Sequence, residues 1–161
     1  MNKASKAGMC TCKTGLPSLY GHVVVLGAGD TAFDCATSAF RCGAKRVTVA
    51  FRRAFRHIRA VPEEVDIAKN EACDFLPYTA PKRVVVGENN HISHIEFYRM
   101  EEQDDGNYVL DQGSSPHSVK AAFFFFQYPQ IFPLSLHSLS ESEKNFTFTN
   151  LPFSNNYKVS Y

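Results

Sequence analysis

The sequence predicts an α/β fold that begins with a strand, a helix and a second, parallel strand. The stretch His22–Leu26 is a short apolar run rich in β-branched residues, as expected of a buried strand. The segment 31–42 then changes to helical spacing, with apolar side chains three and four positions apart. Gly43 is expected to end this helix, and the segment 45–51 is strand-like again. The apolar face of the helix consists of Ala32, Cys35, Ala36, Ala39 and Phe40.

A second helix and three more strands are expected after this βαβ unit. Pro62, followed by two glutamates, is typical of a helix start, and this helix should run to about residue 70 or 71. Beyond it, three extended runs are separated by the turn sequences ENN and QDDGN, which favours an antiparallel three-stranded meander. The three runs are 83–87, 91–101 and 108–111.

The composition changes sharply near residue 123. The segment 123–161 holds eight of the 14 phenylalanines but no glycine, alanine, arginine, aspartate or cysteine, and it has no sustained period. We therefore expect a lead-in over 1–20, a domain over 21–122 that is incomplete at its C-terminal end, and a disordered tail over 123–161. A truncated or alternatively spliced message would explain such a tail.

Charge and composition exclude several classes of partner. With 44% hydrophobic residues, 20% charged residues and a net charge of +1, there is no electrostatic reason to expect a nucleic acid or a membrane. No signal peptide is visible, so we expect a cytoplasmic protein with reduced thiols. Of the five cysteines, Cys10 and Cys12 are too closely spaced for a CxxC motif, and no metal site is expected.

A glycine motif lies between the first strand and the first helix. The hexapeptide GAGDTA, residues 27–32, fits the dinucleotide-binding pattern G-x-G-x-x-A. Gly27 permits the tight turn, Gly29 lets the backbone approach a pyrophosphate, and Ala32 keeps the helix close to the sheet. The N–H groups and the dipole at the helix start favour phosphates. In a unit of about 30 residues, this context predicts a Rossmann-like dinucleotide-binding domain.

Two arginines follow the second strand. Arg52 and Arg53 stand where NAD-preferring enzymes commonly have the carboxylate that holds the ribose hydroxyls. A carboxylate would repel a 2′-phosphate, whereas a guanidinium binds it through two hydrogen bonds. The pair therefore predicts NADP(H) rather than NAD(H), the alternative being a solvated strand end. Arg56 and Arg59 lie close enough in the chain to join the cluster.

No catalytic group is evident in the sequence. Asp30 is unusual beside a pyrophosphate, and it either caps the first helix or lies on the nicotinamide side of the site. The pair Glu63 and Glu64 is explained by the first turn of a helix, and no nucleophile stands with a base. We therefore expect the cofactor to carry the chemistry and to pass its hydride to a redox centre outside this chain.

Four stretches together point to a family: CKTGLPSLYG, VVVLGAGDTAFDCATSAFRCGAKRVTVAFRR, IRAVPEE and CDFLP. From about Met9 to Ala121 the chain resembles the NADPH-binding region of the dihydropyrimidine dehydrogenases. The glycine motif alone is shared with many flavoprotein reductases, including the glutamate synthase small subunit. The longer run is more particular to this family. After SVKA the family continues into another buried strand, whereas this chain enters AFFFFQYPQIF, so part of the sheet is expected to be missing.

The resemblance implies an activity and a set of cofactor contacts. The family reduces uracil and thymine to 5,6-dihydropyrimidines in pyrimidine catabolism, as a cytoplasmic homodimer. Electrons pass from NADPH through FAD, iron–sulfur clusters and FMN, whose sites are not in this chain. The resemblance implies NADPH contacts at Ala28, Gly29, Asp30, Thr31, Arg52, Arg53 and Arg59.

Three interpretations of the function follow. The first is an NADP(H)-binding fragment that needs the missing flavin and cluster domains and is inactive alone. The second is a non-catalytic isoform that binds NADPH, and the third is a flavin reductase similar to the glutamate synthase small subunit.

Overall fold

The computed structural model describes residues 18–87, 91–126 and 145–147. Its helices are α1 (Asp30–Arg41) and α2 (Pro62–Asn70), and Phe55–His57 forms a single 3₁₀ turn. Neither α-helix in the described residues has the length and hydropathy needed to cross a bilayer. The strands are β1 (His22–Leu26), β2 (Arg46–Ala50), β3 (Asp74–Leu76), β4 (Thr79–Val86), β5 (Ile92–Glu102), β6 (Tyr108–Leu110), β7 (His117–Lys120), β8 (Phe123–Phe126) and β9 (Asn145–Thr147).

The strands form two sheets of opposite character. The first is parallel, in the order β3-β2-β1-β8, and the second is antiparallel, in the order β6-β5-β4-β9 with β7 also paired to β5. In the parallel sheet His22 pairs with Arg46 and Leu26 with Ala50. Strands β1 and β2 therefore end at the same edge of the sheet.

Strand β1 is buried on both of its faces. Val23 and Val25 belong to an apolar cluster that includes the inner faces of α1 and α2. Val24 and Leu26 belong to a second cluster, formed with buried side chains of β4 and β5. The parallel sheet thus lies between the helices on one side and the antiparallel sheet on the other. Burial on both faces is why the sequence of β1 is continuously apolar.

Helix α1 ends in a Schellman motif, as the glycine after the periodic segment predicts. Gly43 has φ +105°, and its N–H donates to the carbonyl of Phe40 at 3.0 Å, while the Ala44 N–H donates to the carbonyl of Ala39, also at 3.0 Å. A Cβ at Gly43 would lie 2.7 Å from the carbonyl oxygen of Leu19. Both the backbone conformation and this close approach require glycine.

The structure has more strands than the sequence patterns predict. The βαβ unit and α2 agree with the predicted segments to within one or two residues. Strands β4, β5 and β6 pair antiparallel in that order, but β7 and β9 extend the sheet beyond three strands. Strand β4 begins at Thr79, before the predicted segment 83–87, and β3 was not predicted. Both β3 and β7 have only three or four residues, which is too short for a recognisable period.

The predicted boundary at residue 123 is wrong for the first four residues of the tail. Phe123–Phe126 forms β8, which pairs in parallel with β1, so the parallel sheet has a strand at the position expected to be empty. The edge of β1 needs partners for its backbone groups, and a run of aromatic residues suits a strand. Asn145–Thr147 is also a strand, paired with β4. The rest of the tail and residues 1–17 lie outside the described residues.

Removing the ring of Phe33 should destabilise the protein strongly. Phe33 is 0% exposed between α1 and the parallel sheet, so Phe33→Ala should lower the free energy of unfolding by about 3–5 kcal/mol. Phe55, whose side chain is 40% exposed, provides the matched control, and Phe55→Ala should cost much less. Urea unfolding measures both losses, and equal losses would contradict this packing of α1.

Candidate functional site

The glycine loop, residues 27–29, connects β1 to α1. Gly27 has φ +121°, a conformation that favours glycine, and its N–H donates to the carbonyl of Ala50 at 2.9 Å. Gly29 is buried and is the N-cap of α1. Its carbonyl accepts from the N–H groups of Ala32 and Phe33 at 2.9 and 3.3 Å. The loop is therefore fixed to the end of β2 on one side and to the first turn of α1 on the other.

The mouth of α1 has the properties of an anion site. Asp30 and Thr31 are exposed in its first turn. The first N–H groups of a helix have no carbonyl one turn earlier to bond, and the helix dipole is positive at this end. Ala28 and Gly29, just before the helix, place no large side chain at this mouth. The predicted residues of the glycine motif thus lie together at one strand-to-helix junction.

The arginine loop, residues 51–61, connects β2 to α2 and runs beside the glycine loop. The N–H of Arg59 donates to the carbonyl of Ala28 at 3.1 Å. The N–H of Val61 donates to Oδ1 of Asp30 at 2.8 Å. Asp30 therefore holds the arginine loop, and the prediction that it caps its own helix is wrong. The alternative on the nicotinamide side stays a prediction.

Three arginines converge at this edge of the sheet. Arg52 and Arg53 follow β2 and are partly buried. Burial lowers the pKa of Arg53, and the positive charges of Arg59 and Arg52 lower it further. The guanidinium of Arg56 forms an ion pair with Glu102 at the end of β5. The fold thus brings Arg52, Arg53 and Arg59 together and directs Arg56 to the antiparallel sheet.

An open cleft lies between the arginine loop and the turn that joins β5 to β6. Its volume is about 330 Å³, near the lower end of the roughly 300–1,000 Å³ that ligand pockets span. One wall consists of Arg52, Arg53 and His57, and the other of Gly106, Asn107 and Tyr108. The second wall was missed by sequence reasoning. No local pattern identifies it, because it depends on how the antiparallel sheet packs against the parallel one.

The described residues contain no group of three or more histidines, cysteines, aspartates or glutamates arranged to hold a metal ion. Cys35, Cys42 and Cys73 are free thiols. Burial raises the pKa of Cys73 to about 11, so its thiol stays protonated at neutral pH. Cys10 and Cys12 lie outside the described residues.

The combination of a parallel and an antiparallel sheet with helices is also found in solved structures of mixed α/β proteins. Thioredoxin reductase from Giardia duodenalis superposes with a TM-score of 0.50 at 21% identity, covering 65% of this chain and 29% of that one. At this identity the likeness shows the fold alone. No protein-family model matches the chain.

Several curated proteins are similar in sequence, and two of them illustrate the likeness. The chain is 41% identical over 87 residues to the NADPH-Fe(3+) oxidoreductase subunit beta of Geobacter sulfurreducens, covering 53% of this chain and 13% of that protein. It is 39% identical over 80 residues to the glutamate synthase [NADPH] small chain of Escherichia coli K12, covering 50% and 17%. The matched segment is therefore less than a fifth of either relative.

Removing the Asp30 carboxylate should loosen the arginine loop. In Asp30→Ala the Val61 N–H loses its partner, so amide exchange at Val61 and Arg59 should accelerate by roughly 5- to 10-fold, as expected for one lost hydrogen bond. Asp34→Ala, at an exposed position of the same helix, provides the control. Hydrogen–deuterium exchange resolved by residue measures both variants. Unchanged exchange at Val61 would contradict this contact.

Proposed function

We propose that this chain is the NADP(H)-binding part of an oxidoreductase. The observation that carries the proposal is that Arg52 and Arg53 line a cleft, and that the backbone of Arg59 is bonded to the glycine loop at the mouth of α1. The names of both sequence relatives include NADPH, which supports the same conclusion. The pyrophosphate is assigned to residues 27–31 and the adenosine 2′-phosphate to the three arginines.

The charge arrangement supports a phosphate rather than a neutral ribose. Burial lowers the pKa of Arg53, and the positive charges of Arg59 and Arg52 lower it further, because like charges held close together repel. A phosphate monoester offsets the repulsion and accepts two hydrogen bonds from each planar guanidinium. At the same position of the adenosine, NAD(H) has only a neutral 2′-hydroxyl. The cluster therefore favours NADP(H).

The glycine loop fits the rest of a dinucleotide. Gly27 allows the chain to turn at the strand end, and Gly29 has no side chain that would keep a pyrophosphate from the backbone. The N–H groups of Asp30 and Thr31 are the donors that this helix mouth offers to phosphate oxygens. NADPH supplies a hydride when bound. The residues of this chain bind and orient it.

The more specific proposal is that the chain belongs with the dihydropyrimidine dehydrogenases, which reduce uracil and thymine. The support is the long run from the glycine motif through RCGAKRV to IRAVPEE. On this proposal the flavin, FMN and iron–sulfur sites lie in other domains of a cytoplasmic homodimer. The domain over residues 21–122, now extended by β8, contributes NADPH binding only and is inactive alone.

A second candidate is a flavin reductase similar to the glutamate synthase small subunit. The 39% identity over 80 residues to the Escherichia coli small chain supports this candidate to a comparable degree. A third, a non-catalytic isoform that binds NADPH, uses the same site. Sequencing the gene on both sides of the codons for this chain distinguishes the first two candidates. An adjoining reading frame that encodes a pyrimidine site supports the first candidate, and one that encodes a glutamate synthase domain overturns it.

The chain alone should not reduce uracil. Purified full chain mixed with NADPH, FAD and uracil should show no loss of nicotinamide absorbance above a protein-free control, because the centres that accept the hydride are assigned to other domains. Measurable turnover would contradict the proposal that this chain contributes only cofactor binding.

Removing the paired arginines should abolish the preference for NADPH. Each of Arg52→Ala and Arg53→Ala should weaken NADPH binding by roughly 10- to 100-fold, because a hydrogen bond to a charged group contributes about 1.5–3 kcal/mol. NADH affinity should change little. Arg46→Ala is a matched control, because Arg46 lies at the opposite end of β2, where it pairs with Asp74 at 2.6 Å. Calorimetric titration measures all three variants, and unchanged NADPH affinity would refute the assignment.

A further inference from the structure

Tyr108, the first residue of β6, reaches across the cleft to the arginine loop. Its hydroxyl accepts a hydrogen bond from the N–H of Ala54 at 3.1 Å. The same oxygen lies 2.7 Å from Nδ1 of His57. One side chain of the antiparallel sheet thus contacts the arginine loop at two positions, one directly after Arg53 and the other in the 3₁₀ turn.

The peptide unit between Arg53 and Ala54 is held at both of its polar groups. The N–H of Tyr78 donates to the carbonyl of Arg53 at 3.2 Å, while the Ala54 N–H donates to Tyr108. The rings of Tyr78 and Tyr108 also contact each other, with centroids 6.2 Å apart. Because a peptide unit is planar, fixing both groups fixes the Cα–C bond of Arg53 and so narrows the directions that its side chain can take.

The β5–β6 turn has its own supports. Gly106 has φ +77°, and Asp105 accepts from the backbone N–H and the side-chain amide of Asn107 at 2.9 and 2.7 Å. At the base of the turn, Glu102 pairs with Arg56 and lies 3.6 Å from Nδ1 of His57. The contacts of Glu102 hold the base of the turn against the arginine loop.

We infer that Tyr108 is a positioning residue for phosphate selectivity and that the β5–β6 turn is the second wall of the site for the phosphorylated adenosine end. The inference rests on the proposed function. The ligand class is a ribose 2′-phosphate monoester, which enters between Arg52 and Arg53 on one side and residues 106–108 on the other. Tyr108 acts through the backbone at Ala54 and is not assigned a bond to the phosphate.

Tyr108 favours phosphate binding because it preorganises the loop that carries Arg53. An arginine side chain loses rotational freedom when it binds a phosphate, and a loop that also had to order itself would weaken binding further. In Tyr108→Phe the ring remains but the Ala54 N–H loses its acceptor. The loss should therefore reduce affinity for ligands with a 2′-phosphate and leave ligands without it nearly unchanged.

The test uses the full chain and four probes: NADPH, NADH, adenosine 2′,5′-bisphosphate and AMP. For Tyr108→Phe we expect a roughly 3- to 10-fold weaker affinity for NADPH and for the bisphosphate, the range that one hydrogen bond supplies. NADH and AMP should change less than two-fold, within about 0.4 kcal/mol by the affinity relation. Tyr98→Phe on β5 is the matched control, because the Tyr98 ring lies under Lys82 and not in the cleft.

The outcomes separate this inference from the proposed function. The inference is overturned if the ratio of NADPH affinity to NADH affinity is unchanged in Tyr108→Phe, whether both affinities stay the same or both fall equally. If Arg52→Ala nevertheless binds NADPH more weakly than the wild-type chain, the proposed function stands. A wild-type chain that does not prefer NADPH overturns both. The midpoint of urea unfolding is measured for each variant, so that a folding defect is detected separately from the binding data and affinities are compared for folded protein only.

Discussion

The whole arrangement depends on the burial of β1 on both faces. One face of this strand packs against α1 and α2, and the other packs against the antiparallel sheet. The backbone N–H and C=O groups of this strand can form hydrogen bonds only along its two edges, where β2 and β8 pair with it in parallel. Because parallel neighbours end at the same edge, the loops after β1 and β2 leave the sheet side by side. The hydrogen bond from Gly27 to Ala50 fixes their starting points.

That shared edge also holds the arginine loop. The arginine loop runs for eleven residues with only a single 3₁₀ turn, so its shape depends on contacts with its surroundings. Asp30 and Ala28 hold its second half through hydrogen bonds to Val61 and Arg59. The one carboxylate of the glycine motif is thereby used in shaping the site, and its bond to a backbone N–H offsets part of the repulsion it would exert on a phosphate.

Local sequence patterns predicted the elements whose residues follow a regular spacing or a short, recognisable motif. The apolar run of β1, the period of α1 and the glycine at position 43 are each visible within a few residues. Strand β8 was missed because only the open edge of β1 makes Phe123–Phe126 a strand. Spacing did not separate Arg56 from Arg59 either. The difference arises from Glu102, 46 residues from Arg56 in the chain, which pairs with Arg56.

The two halves of the arginine loop are held by different layers of the molecule. The half near α2 is bonded to the glycine loop, which belongs to the parallel sheet, while Tyr78 and Tyr108 hold the half near β2 from the antiparallel side. On the proposed function, selectivity for a 2′-phosphate depends on the packing between the two sheets, around buried residues such as Leu26 and Phe97. Interiors packed at near-crystalline density transmit small shifts. On the same proposal the antiparallel sheet, which has no nucleotide motif of its own, forms part of the recognition site.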